Sequence, residues 1–288
     1  SIDQDIFFGF QFGLQVFKDV DVGDRLTYTA TLASGGELPS WLTFDPETRT
    51  FSGTPENDDV GAILVKVTAT DSRGVTVSDT FTITVSNIND APTITSTAIT
   101  AINEDVAYNY TLVASDVDAG DAITLAATTL PSWLSFNTES GALSGTPTDA
   151  HVGSHQVVLT ATDRAGLVDT QSFTIDVTNV NDAPVIQNDD LEISLEPGVA
   201  GVNLLEIVAS DMDVGDSVTL TLDDETIFEL DGNLLKLRDG FTTEADTGPF
   251  VATVTATDSG GLTDKVNVIV SVDDVANPPT ITGFSAVA

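Results

Sequence analysis

Three short strings recur along this chain in a fixed order, and each is built from residues that offer oxygen. D-x-D-x-G-D occurs as DVDVGD (Asp19 to Asp24), DVDAGD (Asp116 to Asp121) and DMDVGD (Asp211 to Asp216). ATD follows, ending at Asp71, Asp163 and Asp258. N-x-N-D-A-P closes the series as NINDAP (Asn87 to Pro92) and NVNDAP (Asn179 to Pro184), with a degraded copy, DDVANPP, running from Asp273 to Pro279. A turn is made with a single Asn or Asp. It does not need the same oxygen-bearing side chains, in the same order, at every recurrence. Carboxylates, amide carbonyls and backbone carbonyls at this density are hard ligands. They suit Ca²⁺, which accepts roughly six to eight oxygens in irregular geometry, better than Mg²⁺ or a transition metal.

The elements that must position these strings read as strands. LVKVTATD, TFTITV, HQVVLTATD, FTIDV, FVATVTATD and KVNVIVSV all alternate β-branched or apolar residues with polar ones. D-x-D-x-G-D falls at a strand start, ATD at a strand end, and N-x-N-D-A-P after the last strand, where Phe173, Ile175 and Val177 give way to Asn, Asn, Asp and Pro. Helical periodicity is missing, so the chain reads as all-β.

Repetition sets the architecture. LPSWLTFDPETRTFSGTPENDDVG (Leu38 to Gly61) matches LPSWLSFNTESGALSGTPTDAHVG (Leu130 to Gly153) at an offset of 92. From the Asp of ATD to Asp90, Asp182 and Asn277 is 19 residues in all three copies. The expected domains are 1–91, lacking its first strand, then 92–183 and 184–277, each the size of a seven-stranded sandwich. PTITGFSAVA, from Pro279, resembles the start of the second repeat, so 278–288 reads as a truncated fourth repeat or tail, and the chain as a window on a longer array.

Composition narrows the partners. A net charge of −36 argues against nucleic acid and anionic membrane surfaces. No apolar run reaches about 18 residues, so no membrane span is expected. Cysteine is absent, which removes disulfides and thiolate metal sites. Acidic composition alone would fit disorder, but 41% hydrophobic residues in strand-like alternation do not.

Taken together, the ordered motifs resemble cadherin-type modules. The third repeat, with FELDGNLLKL, FTTEAD and VTATDSGGLTD, is similar to the cadherin repeat proper. The first two, marked by LPSWLxF and SGTP, resemble the dystroglycan-type cadherin-like variety found in large bacterial surface or secreted adhesins. The resemblance implies tandem Greek-key, immunoglobulin-like β-sandwiches with calcium between successive domains. At the second junction it implies Glu104 and Asp149 from the base of one domain, Asn179, Asn181 and Asp182 from the linker, and Asp211, Asp213 and Asp258 from the top of the next. At the first it implies Asn87, Asn89 and Asp90 with Asp116, Asp118 and Asp163. Gln4 stands where Glu104 stands in the second, leaving Asp3 or Asp5 as its substitutes, and Asp58 or Asp59 is the match for Asp149. Asp121 and Asp216 either lend a backbone oxygen or only form the turn. About eight oxygen-bearing side chains per junction would hold two or three ions.

The function expected is a calcium-binding extracellular spacer or adhesion module, its ions locking neighbouring repeats. The internal junctions should fill before the chain's ends, where Glu196, Glu244, Asp274 and Asn277 at one end, and Asp19, Asp21 and Asp71 at the other, supply fewer ligand sources. Outer partners would be a cell-surface protein or polysaccharide. Trp41 and Trp133 raise an alternative, a carbohydrate- or partner-binding array, although their repeated apolar setting reads as core. A head-to-tail filament subunit is a further alternative, since terminal strand segments could pair between molecules. Catalysis is not expected. His151 and His155 have no counterparts in the other repeats, and no Ser-His-Asp order or phosphate-cradling loop can be read.

Overall fold

The computed structural model describes residues 1–21, 23–243 and 248–272. It is all-β: three sandwiches in tandem, each with a four-stranded and a three-stranded sheet. In the first, the larger sheet runs Ile2–Asp3, Thr76–Ser86, Gly61–Thr70, Thr27–Leu32, and the smaller Phe8–Gln11, Thr50–Gly53, Leu42–Asp45. The second repeats this with Ala101–Asn103, Val168–Thr178, Gly153–Thr162 and Thr124–Thr129 against Tyr108–Thr111, Ala142–Gly145 and Leu134–Phe136. The third uses Leu191–Leu195, Thr263–Val272, Phe250–Thr257 and Thr219–Leu222, with Asn203–Glu206, Leu234–Leu237 and Phe228–Asp231. Contacts group the chain into two compact units. One holds Ser1–Ile99, Asn109–Ser144 and Gln156–Thr174; the other holds Thr100–Tyr108, Gly145–His155 and the chain from Ile175 onward.

The alternation seen in sequence becomes alternation in burial. Along Gly61–Thr70 every second residue from Val65 is buried, and Phe250–Thr257 behaves the same way. The first core gathers Phe12, Phe17, Leu42, Phe51, Val65, Val67, Ala69 and Ile83 from both sheets. Phe51 is its centre, fully buried, with the rings of Phe44 and Phe81 at 4.5 and 5.4 Å. Trp41 packs on this core and Trp133 is buried in its own repeat, so both tryptophans serve packing. Two single 3₁₀ turns, Asn57–Asp59 and Asp149–His151, interrupt the strands. Among the described residues no helix is long and apolar enough to cross a membrane.

Two features of this topology carry the motifs. The long hairpin of each repeat turns at ATD: the Asp71, Asp163 and Asp258 N–H groups donate to the carbonyls of Val75, Leu167 and Leu262 at 3.0, 3.0 and 3.1 Å. In the second and third repeats Thr93–Ile94 and Val185–Ile186 come first and pair antiparallel with Ala114–Ser115 and Ala209–Ser210. The short strand that follows them, which in the first repeat is Ile2–Asp3, pairs parallel with the last strand of its own repeat. Ile2–Asp3 lies on Val85–Ser86, Ala101–Asn103 on Asp176–Thr178, and Leu191–Leu195 on Val268–Val272. Gln4, Glu104 and Glu196 therefore follow directly on a strand whose neighbour is about to run into a linker. Residues Glu244, Asp274, Ala276 and Asn277, and the stretch 278–288, lie outside the described residues.

Candidate metal centres at the two junctions

The second and third D-x-D-x-G-D strings fold into the same tight loop. The Asp118 N–H donates to Asp116 Oδ1 at 2.9 Å and the Asp121 N–H to the Asp118 carbonyl at 3.1 Å. Asp213 and Asp216 repeat this with Asp211 and Asp213, at 2.9 and 3.1 Å. The glycine before the last Asp adopts φ 88° at Gly120 and 92° at Gly215, a left-handed turn that a side chain would strain. The loop thus turns several carboxylates toward one point.

The ATD aspartate divides its two oxygens. Asp163 Oδ1 accepts the Gly166 and Leu167 N–H groups at 2.5 and 2.7 Å, closing the hairpin, while Oδ2 accepts Asn89 Nδ2 at 2.6 Å. Asp258 does likewise, with Leu262 N–H and Asn181 Nδ2, both at 2.7 Å. Burial pushes the Asp163 carboxyl up, but hydrogen bonds from Asn89, Leu167, Gly166 and Ala165 outweigh it and leave the group below the usual carboxylate range.

The linkers dock on these loops through backbone. The Asp90 N–H donates to Asp118 Oδ2 and the Asp182 N–H to Asp213 Oδ2, each at 2.8 Å. Asn179 Nδ2 reaches Asp213 Oδ1 at 2.8 Å. Asn87 lines a cleft with Asn57, Asp58, Val117 and Asp118. Both linker asparagines near ATD turn their amide nitrogen to a carboxylate; a half-turn of the amide would present Oδ1 to a cation instead.

From the base of the second junction comes Glu104, 1% exposed, its Oε1 accepting the Val180 N–H at 2.6 Å. One oxygen each of Glu104, Asp149, Asp182 and Asp213 lie within 4.8 Å of one another. Burial, then the charges of Asp149 and Asp182, push the Glu104 carboxyl up against the pull of the Val180 N–H. Asp182 is pushed up by burial and by the neighbouring Asp149, Asp213 and Asp105. Three further groups are as close: Asp116 with Asp121 and Asp163, Asp211 with Asp213 and Asp216, and, away from both junctions, Asp19 with Asp21 and Asp24.

The expected ligands therefore converge, with three shifts of place. Asp3 and Asp5 are exposed, and Gln4 itself is fully buried with its Nε2 donating to Asp90 Oδ2 at 2.9 Å. Asn57, not Asp58 or Asp59, occupies the place of Asp149: its amide meets the Val117 carbonyl, Asp58 is exposed, and Asp59 Oδ2 accepts the Glu56 N–H at 2.9 Å as a turn cap. Asp121 and Asp216, which the sequence left between turn and backbone roles, bring side chains into the clusters. The 92-residue offset already carries Asp149 onto Asn57, and the capping pattern around it marks the 3₁₀ turn.

These residues fit a cation better than they fit one another. Glu104, Asp118, Asp163, Asp213 and Asp258 are the buried acids among the described residues, and all sit at a junction. The ion pairs among the described residues, Arg73–Asp21, exposed, and Lys236–Asp231, with Lys236 half-buried, lie away from the two junctions. Buried oxygens without a hydrogen-bond donor collect at the same places: Gln4 Oε1, Asn57 Oδ1, Asp116 Oδ2 and Asp118 Oδ1 at the first junction, Glu104 Oε2, Asp149 Oδ1 and Asp211 Oδ2 at the second. Buried carboxylates left without donors or counter-charge cost folding energy, and a divalent cation is the partner that such an all-oxygen set accepts.

Fold and junction chemistry together define tandem immunoglobulin-like sandwiches of the cadherin kind. The chain belongs to the family described as "Putative Ig domain", whose model matches residues 7–86 and 91–178. Human CDH23 EC21-23 has the same fold, with a TM-score of 0.50 at 17% identity over 84% of this chain and 88% of that one. The chain is also 33% identical over 155 residues, 54% of its length, to the serine-rich adhesin for platelets of Staphylococcus aureus strain MRSA252. That match spans 11% of the adhesin's length.

Proposed function

We propose that this chain is a calcium-binding adhesion or spacer module of a bacterial surface or secreted protein, with cations held at its two junctions. The observation that carries this reading is Glu104, buried, ionisable, and with Oε2 packed among acids with no donor in reach. At the second junction Glu104, Asp149, Asn179, Asn181, Asp182, Asp211, Asp213 and Asp258 would hold the metal; at the first, Asn87, Asn89, Asp90, Asp116, Asp118 and Asp163. Bound calcium supplies positive charge that the described residues of these clusters lack. Asp90 and Asp182 are the pivots, because each ties a linker to the next loop by its N–H, and the Asp182 carboxylate faces the acid cluster. With both ends so held, the angle between neighbouring repeats is fixed and the module keeps a constant presentation outside the cell. Outer partners would be a cell-surface protein or polysaccharide, and the similarity to a staphylococcal adhesin supports that direction.

Calorimetric titration of the chelator-stripped chain tests this. Calcium should bind with a dissociation constant in the micromolar to millimolar range of sensor and extracellular sites, roughly 10⁻⁷ to 10⁻³ M. Magnesium should bind more weakly, because it sheds water reluctantly and demands octahedral geometry. Absence of calcium binding at millimolar concentration would sink the proposal.

A further inference from the structure

The four acids that close on one another at the second junction have counterparts at the first, and two of those counterparts are amides. Gln4 and Glu104 each follow the short parallel strand and donate their N–H to the last strand, at the Ser86 and Thr178 carbonyls, both at 3.1 Å. Asn57 and Asp149 each open the 3₁₀ turn. Asp90 and Asp182 dock through the same backbone bond at 2.8 Å, and Asp118 and Asp213 receive it. Glu104, Asp149, Asp182 and Asp213 thus map onto Gln4, Asn57, Asp90 and Asp118. Glutamine and asparagine keep the shape of glutamate and aspartate and remove two negative charges.

The amides also bring donors. Gln4 Nε2 donates to Asp90 Oδ2 at 2.9 Å, and Asn57 Nδ2 donates to the Val117 carbonyl. The matching oxygens are buried without a donor at both junctions, Gln4 Oε1 and Asn57 Oδ1 at the first and Glu104 Oε2 and Asp149 Oδ1 at the second, so the difference between them is charge: neutral amides at the first, carboxylates at the second. A carboxylate has no proton to give its neighbour at neutral pH; an amide has two. The remaining acids do not follow this split. Asp116, Asp121 and Asp163 at the first junction answer to Asp211, Asp216 and Asp258 at the second, residue for residue.

We infer that the two junctions carry unequal calcium loads: the second takes a cation among Glu104, Asp149, Asp182 and Asp213, whereas the first, two negative charges poorer at the matching place and with one oxygen of Asp90 already taken by Gln4, holds calcium tightly only around Asp116, Asp121 and Asp163. This rests on the calcium reading above. Affinity at such sites follows the count of charged ligands, so the second junction fills first. As calcium falls, the second junction is left with four mutually repelling acids where the first has two, so its order depends more strongly on the ion.

Two isosteric exchanges in the full chain test the assignment. Glu104→Gln with Asp149→Asn should remove one tightly bound ion, counted by native mass spectrometry, and raise the melting temperature in chelator. Gln4→Glu with Asn57→Asp should add one ion and lower the chelated melting temperature. In chelator, a protease should cut the wild type between Asn179 and Pro184 faster than between Asn87 and Pro92, and each exchange should reverse or level that order. If the wild type binds calcium tightly yet neither exchange changes the ion count, the inference fails while the calcium reading stands. If the wild type binds no calcium, both fall.

Discussion

Saturating calcium is expected to raise the melting temperature of this chain by ten degrees or more above its value in chelator. A ligand at about 100 times its dissociation constant adds roughly 2.7 kcal/mol for each independent site on the native state. For repeats of this size each kcal/mol moves the midpoint by about 4–8 °C. The buried acids magnify the contrast, because without metal their repulsion works against the fold. The increment should shrink on acidification. Glu104 and Asp182 hold protons more tightly in the folded chain than in the unfolded one, by burial and neighbouring acids. Their protonation stabilises the metal-free state at low pH, a contribution lost as pH rises through their folded-state range, and protons compete with calcium for the same oxygens. Superimposable melts in chelator and in millimolar calcium would be incompatible with the proposed function.

Replacing Asp182 with alanine should weaken calcium binding at the second junction by tenfold or more, about 1.4 kcal/mol or greater, and leave the first junction intact. The substitution is selective because the Asp182 N–H, which docks the linker on Asp213 at 2.8 Å, survives it. Only the carboxylate facing Glu104, Asp149 and Asp213 is lost. Asp90→Ala should leave calcium binding at the first junction largely unchanged, since Gln4 already occupies one oxygen of Asp90 and the ion there sits around Asp116, Asp121 and Asp163. Calorimetry resolves the two classes of site. An unchanged titration for Asp182→Ala would remove this residue from the ligand set.

The all-β class was readable because alternation in the long strands reports burial directly, with Val65, Val67 and Ala69 inside and their neighbours half-exposed. The convergence of D-x-D-x-G-D, ATD and N-x-N-D-A-P was readable too, since each string closes its own turn and so faces a predictable way. What escaped was the identity of the residue at two places. A search for charge favours Asp3 and Asp5 over Gln4, and Asp58 and Asp59 over Asn57. Backbone register decides otherwise: Gln4 is the residue at which the chain leaves the parallel strand inward, and Asn57 is the first residue of a turn too short to show periodicity. Asp121 and Asp216 were undecided because a turn-forming Asp and a ligating Asp look alike in sequence.

The parallel pairing of an early and the last strand in each repeat also decides how each sandwich carries tension. Once the two-residue antiparallel pairs at Thr93–Ile94 and Val185–Ile186 are passed, a pull along the chain drags these two strands past each other along their length. Their hydrogen bonds are then strained together in shear, where a hairpin pulled from its open end would lose its bonds singly, in sequence. The third repeat aligns Leu191–Leu195 with Val268–Val272 over five register pairs, against three for Ala101–Asn103 on Asp176–Thr178 in the second. With two register pairs for Ile2–Asp3 on Val85–Ser86, the first repeat is the weakest on this count, so under a steady pull along the chain the sandwiches are expected to yield in the order first, second, third, which single-molecule stretching would read.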